Sequence, residues 1–245
     1  MNQQPIEKTV RDVADGSLEV HSIFYTIQGE GPFAGRPAVF VRLAGCNLQC
    51  PLCDTDYTSI RLRMTVPEIM RAVTDAGGNK AQLVVITGGE PFRQDIFPLC
   101  HALTEHLGFA VQVETNGTLA PIDRRFRALV STEVNLNDFA QAVYVVVSPK
   151  TGKVNEWFKD YACALKYVAI AEDLEADGLP SSALDHTASP RLYRKDFERH
   201  IPIYLQPADE KHDAVNKTNR DAVTASCLRH GYVLQLQVHK IINVE

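Results

Sequence analysis

Short apolar runs rich in β-branched residues recur along the whole chain, and most of them stop abruptly at a polar or glycine-rich motif. They fall at residues 18–27, 38–43 (AVFVRL), 82–87 (QLVVIT), 109–114 (FAVQVE), 143–147, 165–170 (LKYVAI), 201–205 and 233–238. Between them, residues 66–76, 94–107 and 214–229 carry helical patterning. Thr65 with Glu68 forms a capping box for the first helix, and Gly77-Gly78 supplies its stop. Apolar strands alternating with helices predict an α/β fold with a mostly parallel sheet buried on both faces. The strand count fits a doubly wound sheet or a partial (β/α) barrel, and the pattern does not choose. In either case ligands bind at the C-terminal ends of the strands, where the polar motifs cluster.

A chain of 245 residues can bury one full core, so residues 18–245 read as a single domain. Residues 1–17 read as a polar tail with little to bury, and residues 172–200 as an insertion, lid-like or a plain surface loop. No apolar run reaches the roughly 18 residues of a membrane span, so no membrane association is expected. Residues 1–17 have no apolar core of a secretory signal, which points to a cytoplasmic protein. The net charge of −5 offers no global attraction for nucleic acid. In this setting the six cysteines read as thiols. Cys100, Cys163 and Cys227 lie among apolar residues, as buried small hydrophobes do.

Cys46, Cys50 and Cys53 need another explanation. They fall within eight residues in a C-x3-C-x2-C spacing, directly after an apolar strand. Thiolates this close are metal or cluster ligands more often than packing residues. A structural zinc site wants a fourth ligand, which His21 or His101 could supply only through the fold. A [4Fe-4S] cluster held by three thiolates keeps one iron open to a small molecule bearing an amine and a carboxylate. The spacing resembles the radical S-adenosylmethionine (SAM) enzymes, in which the open iron chelates the methionyl group of SAM. The reduced cluster there cleaves the sulfonium, and the 5′-deoxyadenosyl radical abstracts a substrate hydrogen. Gly88-Gly89-Glu90-Pro91 is similar to that superfamily's GGEP motif.

Further blocks narrow the resemblance. Gln28-Gly29-Glu30-Gly31, Arg42-Leu43-Ala44-Gly45-Cys46, Cys53-Asp54-Thr55, Glu114-Thr115-Asn116-Gly117, Ser148-Pro149-Lys150 and Gln206-Pro207 occur in the order found in the 7-carboxy-7-deazaguanine synthase family. The resemblance covers the chain from about Glu19 onward, apart from the insertion. It implies a radical SAM partial barrel and a lyase of queuosine and 7-deazapurine biosynthesis. The reaction converts 6-carboxy-5,6,7,8-tetrahydropterin to 7-carboxy-7-deazaguanine with loss of ammonia. By the same resemblance Cys46, Cys50 and Cys53 hold the cluster. Leu52, Cys53, Asp54, Gly89, Ser148, Pro149, Lys150, Gln206, Pro207, Ala208 and Asp209 line the SAM site, and Thr55 binds Mg²⁺. Ile27, Gln28, Gly29, Arg42, Thr87 and the terminal Glu245 contact the pterin. The family further implies a homodimer and a reducing electron donor such as flavodoxin.

The residue types suit this chemistry independently. Arg42 is a natural bidentate partner for a substrate carboxylate, although a structural ion pair is an equal reading. Glu30 or Glu114 could accept the adjacent N–H donors of a pterin edge. Thr55 would suit a hard cation that keeps few protein ligands, or serve as a turn residue. No protein side chain stands out as an acid–base catalyst. Two other readings share the cysteine pattern in part. A glycyl-radical-enzyme-activating protein has the same spacing but a different block before the first cysteine. An iron–sulfur electron carrier normally ligates its cluster fully.

Overall fold

The computed structural model of the chain describes residues 3–10, 13–135, 141–184, 192–194 and 199–244. Its strands are β1 (Leu18–Ile27), β2 (Pro37–Leu43), β3 (Leu62–Met64), β4 (Leu83–Gly88), β5 (Ala110–Thr115), β6 (Val143–Val147), β7 (Ala162–Ala169), β8 (Ile203–Pro207) and β9 (Val233–Leu234). They form one sheet in the order β3-β1-β2-β4-β5-β6-β7-β8-β9. From β2 to β9 every neighbouring pair is parallel, while β1 runs antiparallel to both β2 and β3.

That order decides between the two architectures left open. A doubly wound sheet reverses its strand order at a switch point, which sends helices to both faces. Here the parallel strands follow one another in sequence order, so right-handed crossovers leave the helices that connect them on one face. The other face becomes the inside of a barrel whose ends, β3 and β9, do not meet.

The two faces carry separate cores. The outer one is large and includes Val39, Val41, Val84, Ile86, Val111 and Val113, with Ile69, Val73, Leu99 and Leu103 facing them from the helical segments. The inner one is small: Phe33, Ala38, Leu83, Val85, Ala110, Tyr144, Val146, Cys163 and Ala164. Strand alternation sorts adjacent residues between them.

Helices α1 (Val66–Val73) and α2 (Phe97–His101) each continue through a π-helical turn, to Gly78 and His106 respectively. Thr65 caps α1 as expected, its N–H donating to the Glu68 carboxylate at 2.7 Å. Strand β3 and helix α3 (Trp157–Tyr161) escaped the pattern; α3 sets Trp157 edge-on against Phe92 and Phe126, and Phe158 tilted against Phe92. Helix α4 (Asp213–His230) ends at Gly231 in the left-handed conformation, φ +73°.

The expected last strand, residues 233–238, is corrected by the structure. Only Val233–Leu234 pair with β8; the chain then leaves the sheet and forms α5 (Val238–Ile241). The buried Gln235 side chain makes the turn, accepting from Gly31 N–H at 2.7 Å and donating to the Gly29 carbonyl at 3.1 Å. The polar N-terminal stretch is also laid onto the domain, with Glu7 N–H bonded to the Cys46 carbonyl at 2.7 Å and Val10 N–H to that of Arg93 at 2.7 Å. Of residues 172–200, those described fold back on themselves around Arg194, which bonds Glu175 and Asp177 at 2.7 Å each.

Candidate active site

On the inner face of the barrel the side chains change character along the strands. Ala38 and Phe40 of β2 precede Arg42; Leu83 and Val85 of β4 precede Thr87. On β5, Ala110 is followed by Gln112 and Glu114; on β7, Ala164 by Lys166; on β8, Tyr204 by Gln206. Period-two alternation places these residues on one face, with apolar layers below and a polar layer at the C-terminal end. A cavity of about 900 Å³ opens above that layer.

The rim is built from loops held very close. Gly45 has φ +81°, and a Cβ there would stand 2.6 Å from the buried Arg93 guanidinium. A Cβ on Gly89 would stand 2.0 Å from the Gly45 carbonyl, so the cysteine loop and the Gly88-Gly89 turn touch through backbone alone. Glu90 fixes the next strand. Its fully buried carboxylate accepts from Thr115 Oγ1 at 2.7 Å, Asn116 N at 2.8 Å and Phe92 N at 3.0 Å. Burial pushes its carboxyl up to about 7 in spite of those donors.

Cys46, Cys50 and Cys53 all line the cavity. Burial pushes each thiol up, Cys46 to about 12, and a bound cation would favour the thiolate against it. Lys150 stands beside them, its ammonium lowered by burial and by Lys166, and donates to Ser148 Oγ at 2.5 Å. Such a lysine favours an anionic neighbour.

Below lies a network of charges. Lys166 bonds Glu30 directly, and Gln237 donates to the other Glu30 oxygen at 2.8 Å. Burial works against the Glu30 carboxylate, but Lys166, Gln237 and His239 outweigh it and hold its carboxyl well below the usual range. Burial likewise works against the Lys166 ammonium, which Glu30 and Glu114 raise above its usual value. Glu114 accepts from Gln28 at 3.0 Å and Gln112 at 2.9 Å on one oxygen, and from Thr87 at 3.4 Å on the other. Both Glu30 oxygens therefore hold short partners, while among the described residues one Glu114 oxygen has only a long one. Arg42 lies over the Phe24 ring at 5.1 Å, and its buried Nε has no hydrogen-bond partner among the described residues.

Most residues expected at the site converge on this cavity: Ile27, Gln28, Glu30, Arg42, Thr87 and Glu114 from the strands and first loop, and Leu52, Asp54 and Thr55 beside the cysteines. Gly89, Ser148, Lys150, Gln206, Ala208 and Asp209 line it as well. Gly29, Pro149 and Pro207 do not. Gly29 is buried behind His239, which would stand 1.8 Å from a Cβ there. Glu245 lies outside the described residues. Lys166, Gln237, His239 and Lys240 line the cavity without having been expected. Lys166 left a signal in the sequence, a lone cation inside an apolar strand. The others arrive because the chain folds into α5, where Lys240 reaches Asp54 at 3.4 Å and Asp209 at 3.3 Å. Leu184, in the insertion, also lines the cavity and accepts from Leu52 N–H at 3.2 Å.

These residues fit an iron–sulfur cluster and SAM. Among the described residues no three His, Cys, Asp or Glu donors converge on one point as a single ion requires. A four-iron cluster takes each thiolate on a different iron, so it needs no such convergence. Among the described residues the buried Gln206 Oε1 and Arg42 Nε find no hydrogen-bond partner.

An incomplete parallel barrel with three thiols at the C-terminal ends of its strands defines a radical SAM protein, and residues 41–153 match the Radical SAM superfamily. The chain is 39% identical over 242 residues to the 7-carboxy-7-deazaguanine synthase of Rhodospirillum rubrum, covering 95% of each chain. It is 34% identical to that of Rickettsia prowazekii, covering 94% of this chain and 91% of the relative. The crystal structure of QueE from Escherichia coli superposes with a TM-score of 0.64 at 25% identity, over 90% of this chain and 94% of that one. The chain belongs to the 7-carboxy-7-deazaguanine synthase family.

Proposed function

We propose that this chain is the radical SAM lyase that contracts 6-carboxy-5,6,7,8-tetrahydropterin to 7-carboxy-7-deazaguanine with loss of ammonia. The observation that carries the reading is the cavity itself, which three thiols line together with Arg42, a partly buried cation set over the Phe24 ring. A glycyl-radical-activating role would need a groove for a protein loop. Here α5 and the insertion border the cavity, which suits a small substrate.

When bound, the [4Fe-4S] cluster supplies an electron to SAM and so a radical that abstracts hydrogen from the substrate. Cys46, Cys50 and Cys53 would hold the cluster. Lys150 and Ser148, with Gln206 to Asp209, Leu52, Asp54 and Gly89, would bind SAM, the lysine countering its carboxylate. Arg42 would take the substrate carboxylate through a charge-assisted pair. Glu114 would accept a pterin N–H on its weakly engaged oxygen, with Gln28 and Thr87 fixing that carboxylate. Glu30 would act through Lys166, keeping the ammonium charged at the cavity floor. The loops and α5 would keep water from the reacting centre.

Thr55 would offer its hydroxyl to Mg²⁺, and titrating turnover with Mg²⁺ in Thr55→Ala tests that assignment. Glu245 at the substrate, a reducing donor such as flavodoxin, a homodimeric assembly and a cytoplasmic location belong to the same reading. No helix among the described residues is long and apolar enough to cross a membrane. The test is anaerobic cleavage of SAM by the reconstituted chain with and without the carboxylated tetrahydropterin. Cleavage that rises sharply with the pterin is expected; cleavage indifferent to it would refute the assignment.

A further inference from the structure

The loop from Cys46 to Ser59 carries the three thiols and Thr55, yet it contains no regular helix or paired strand beyond one isolated bridge. A loop of this kind opens locally at little cost unless something outside it holds its shape. Residues 3–10 do so. The carboxamide of Gln4 bonds the loop three times: Nε2 donates to the Thr55 carbonyl at 2.9 Å, and Oε1 accepts from Tyr57 N at 2.8 Å and Thr58 Oγ1 at 3.0 Å. The Gln4 carbonyl accepts from Gln49 Nε2 at 2.8 Å. Ile6 forms a parallel bridge with Cys46, and Glu7 N–H donates to the Cys46 carbonyl at 2.7 Å. The segment thus touches the loop at its first cysteine, in its middle and just beyond its last.

Its far end is anchored to the barrel. Arg93, which is 2% exposed, donates to the Lys8 carbonyl at 3.1 Å, and the Glu7 carboxylate pairs with Arg61 at 2.9 Å. Hydrophobic burial contributes little to its hold, because Ile6 remains 64% exposed and Val10 is only partly buried. A segment serving only as ordinary packing would turn both residues inward. This one presents a carboxamide whose donor and acceptor match the backbone of one turn.

We propose that residues 3–10 are a polar clamp on the thiol loop, with Gln4 the positioning residue that fixes the turn from Thr55 to Thr58, just beyond the last thiol. The inference rests on the reading of Cys46, Cys50 and Cys53 as cluster ligands. Its consequence is kinetic: with the clamp in place the loop rarely opens, and a cluster on three thiolates is retained.

The test uses the full chain, reconstituted anaerobically with iron and sulfide, and follows release of iron to a ferrous chelator by absorbance. Gln4→Ala should reach the same initial iron content and release it about tenfold faster, since even a small net loss of hydrogen bonding multiplies the open population. Gln4→Glu keeps the acceptor for Tyr57 and Thr58 but sets a charge against the Thr55 carbonyl, and should also release iron faster. The midpoint of global unfolding should stay at the wild-type value in both. Release at the wild-type rate in both variants would overturn the clamp and leave the cluster reading intact. Faster release that merely tracks a lowered global midpoint would overturn it too, making the segment ordinary support. A wild-type chain that takes up no iron would remove the cluster reading itself.

Discussion

Replacing Arg42 with alanine should weaken substrate binding without weakening the fold. On the stability side, the side chain contributes a contact with the Phe24 ring at 5.1 Å, and its buried Nε has no hydrogen-bond partner among the described residues. The ring contact stabilises by roughly 0.5–1 kcal/mol. Removing the unpartnered Nε offsets all of that or more, because an unsatisfied buried donor costs about 1–3 kcal/mol. The variant should therefore unfold no more easily than wild type. On the binding side, a charge-assisted bond to the substrate carboxylate contributes roughly 1.5–3 kcal/mol. Its loss should lower kcat/KM about ten- to hundredfold, chiefly through KM. Arg42→Lys restores the charge but not the planar fork and should recover part of the loss. Anaerobic turnover at varied pterin concentration, with urea unfolding of the same samples, measures both. Loss of several kcal/mol of stability, or unchanged KM in Arg42→Ala, would show the residue to be structural.

Cys50→Ala should abolish the oxygen-sensitive chromophore of the reconstituted chain, whereas Cys100→Ala, in the outer core, should keep it; an intact four-iron spectrum in Cys50→Ala refutes the ligand assignment. Glu30→Gln strands the buried Lys166 ammonium and should cost about 3–5 kcal/mol in urea unfolding, while the Glu30→Gln, Lys166→Met double variant recovers most of it. A single variant as stable as wild type would mean the pair contributes nothing. Glu90 is raised by burial to about 7 from an ordinary 4.5, so between those values the folded chain holds a proton that the unfolded chain has released. Stability of the metal-free chain should therefore fall as pH climbs through that window, and Glu90→Gln should flatten the slope; an identical slope in the variant would assign it to another group.

Much of this site could be read from residue order because its chemistry sits on local motifs. The thiol loop follows an apolar strand, and Gly88-Gly89-Glu90-Pro91 follows the next parallel one, so strand ends and motifs coincide. Arg42, Thr87 and Glu114 share a face because each occupies the same parity in its strand. What stayed hidden depends on contacts between distant segments. Residues 233–238 have the composition of a strand, yet Gln235 is drawn 204 positions back to Gly31, and the chain turns into α5. That turn brings Gln237, His239 and Lys240 to the cavity, and no local pattern encodes it. The stretch containing Gln4 and Glu7 is polar and reads as solvated, because hydrogen bonds to a loop some fifty residues away leave no periodicity. Lys166 was legible in principle, since a lone cation in a buried strand requires a partner.

The central claim is that one cavity couples radical generation at the thiol loop to ring contraction of a carboxylated pterin. It is tested most directly by incubating the reconstituted chain anaerobically with SAM, Mg²⁺, a chemical reductant and 6-carboxy-5,6,7,8-tetrahydropterin. Product is then quantified by mass spectrometry alongside ammonia. The account predicts 7-carboxy-7-deazaguanine and ammonia in equal amounts, both absent from Cys50→Ala. Pterin recovered unchanged while 5′-deoxyadenosine accumulates would contradict it.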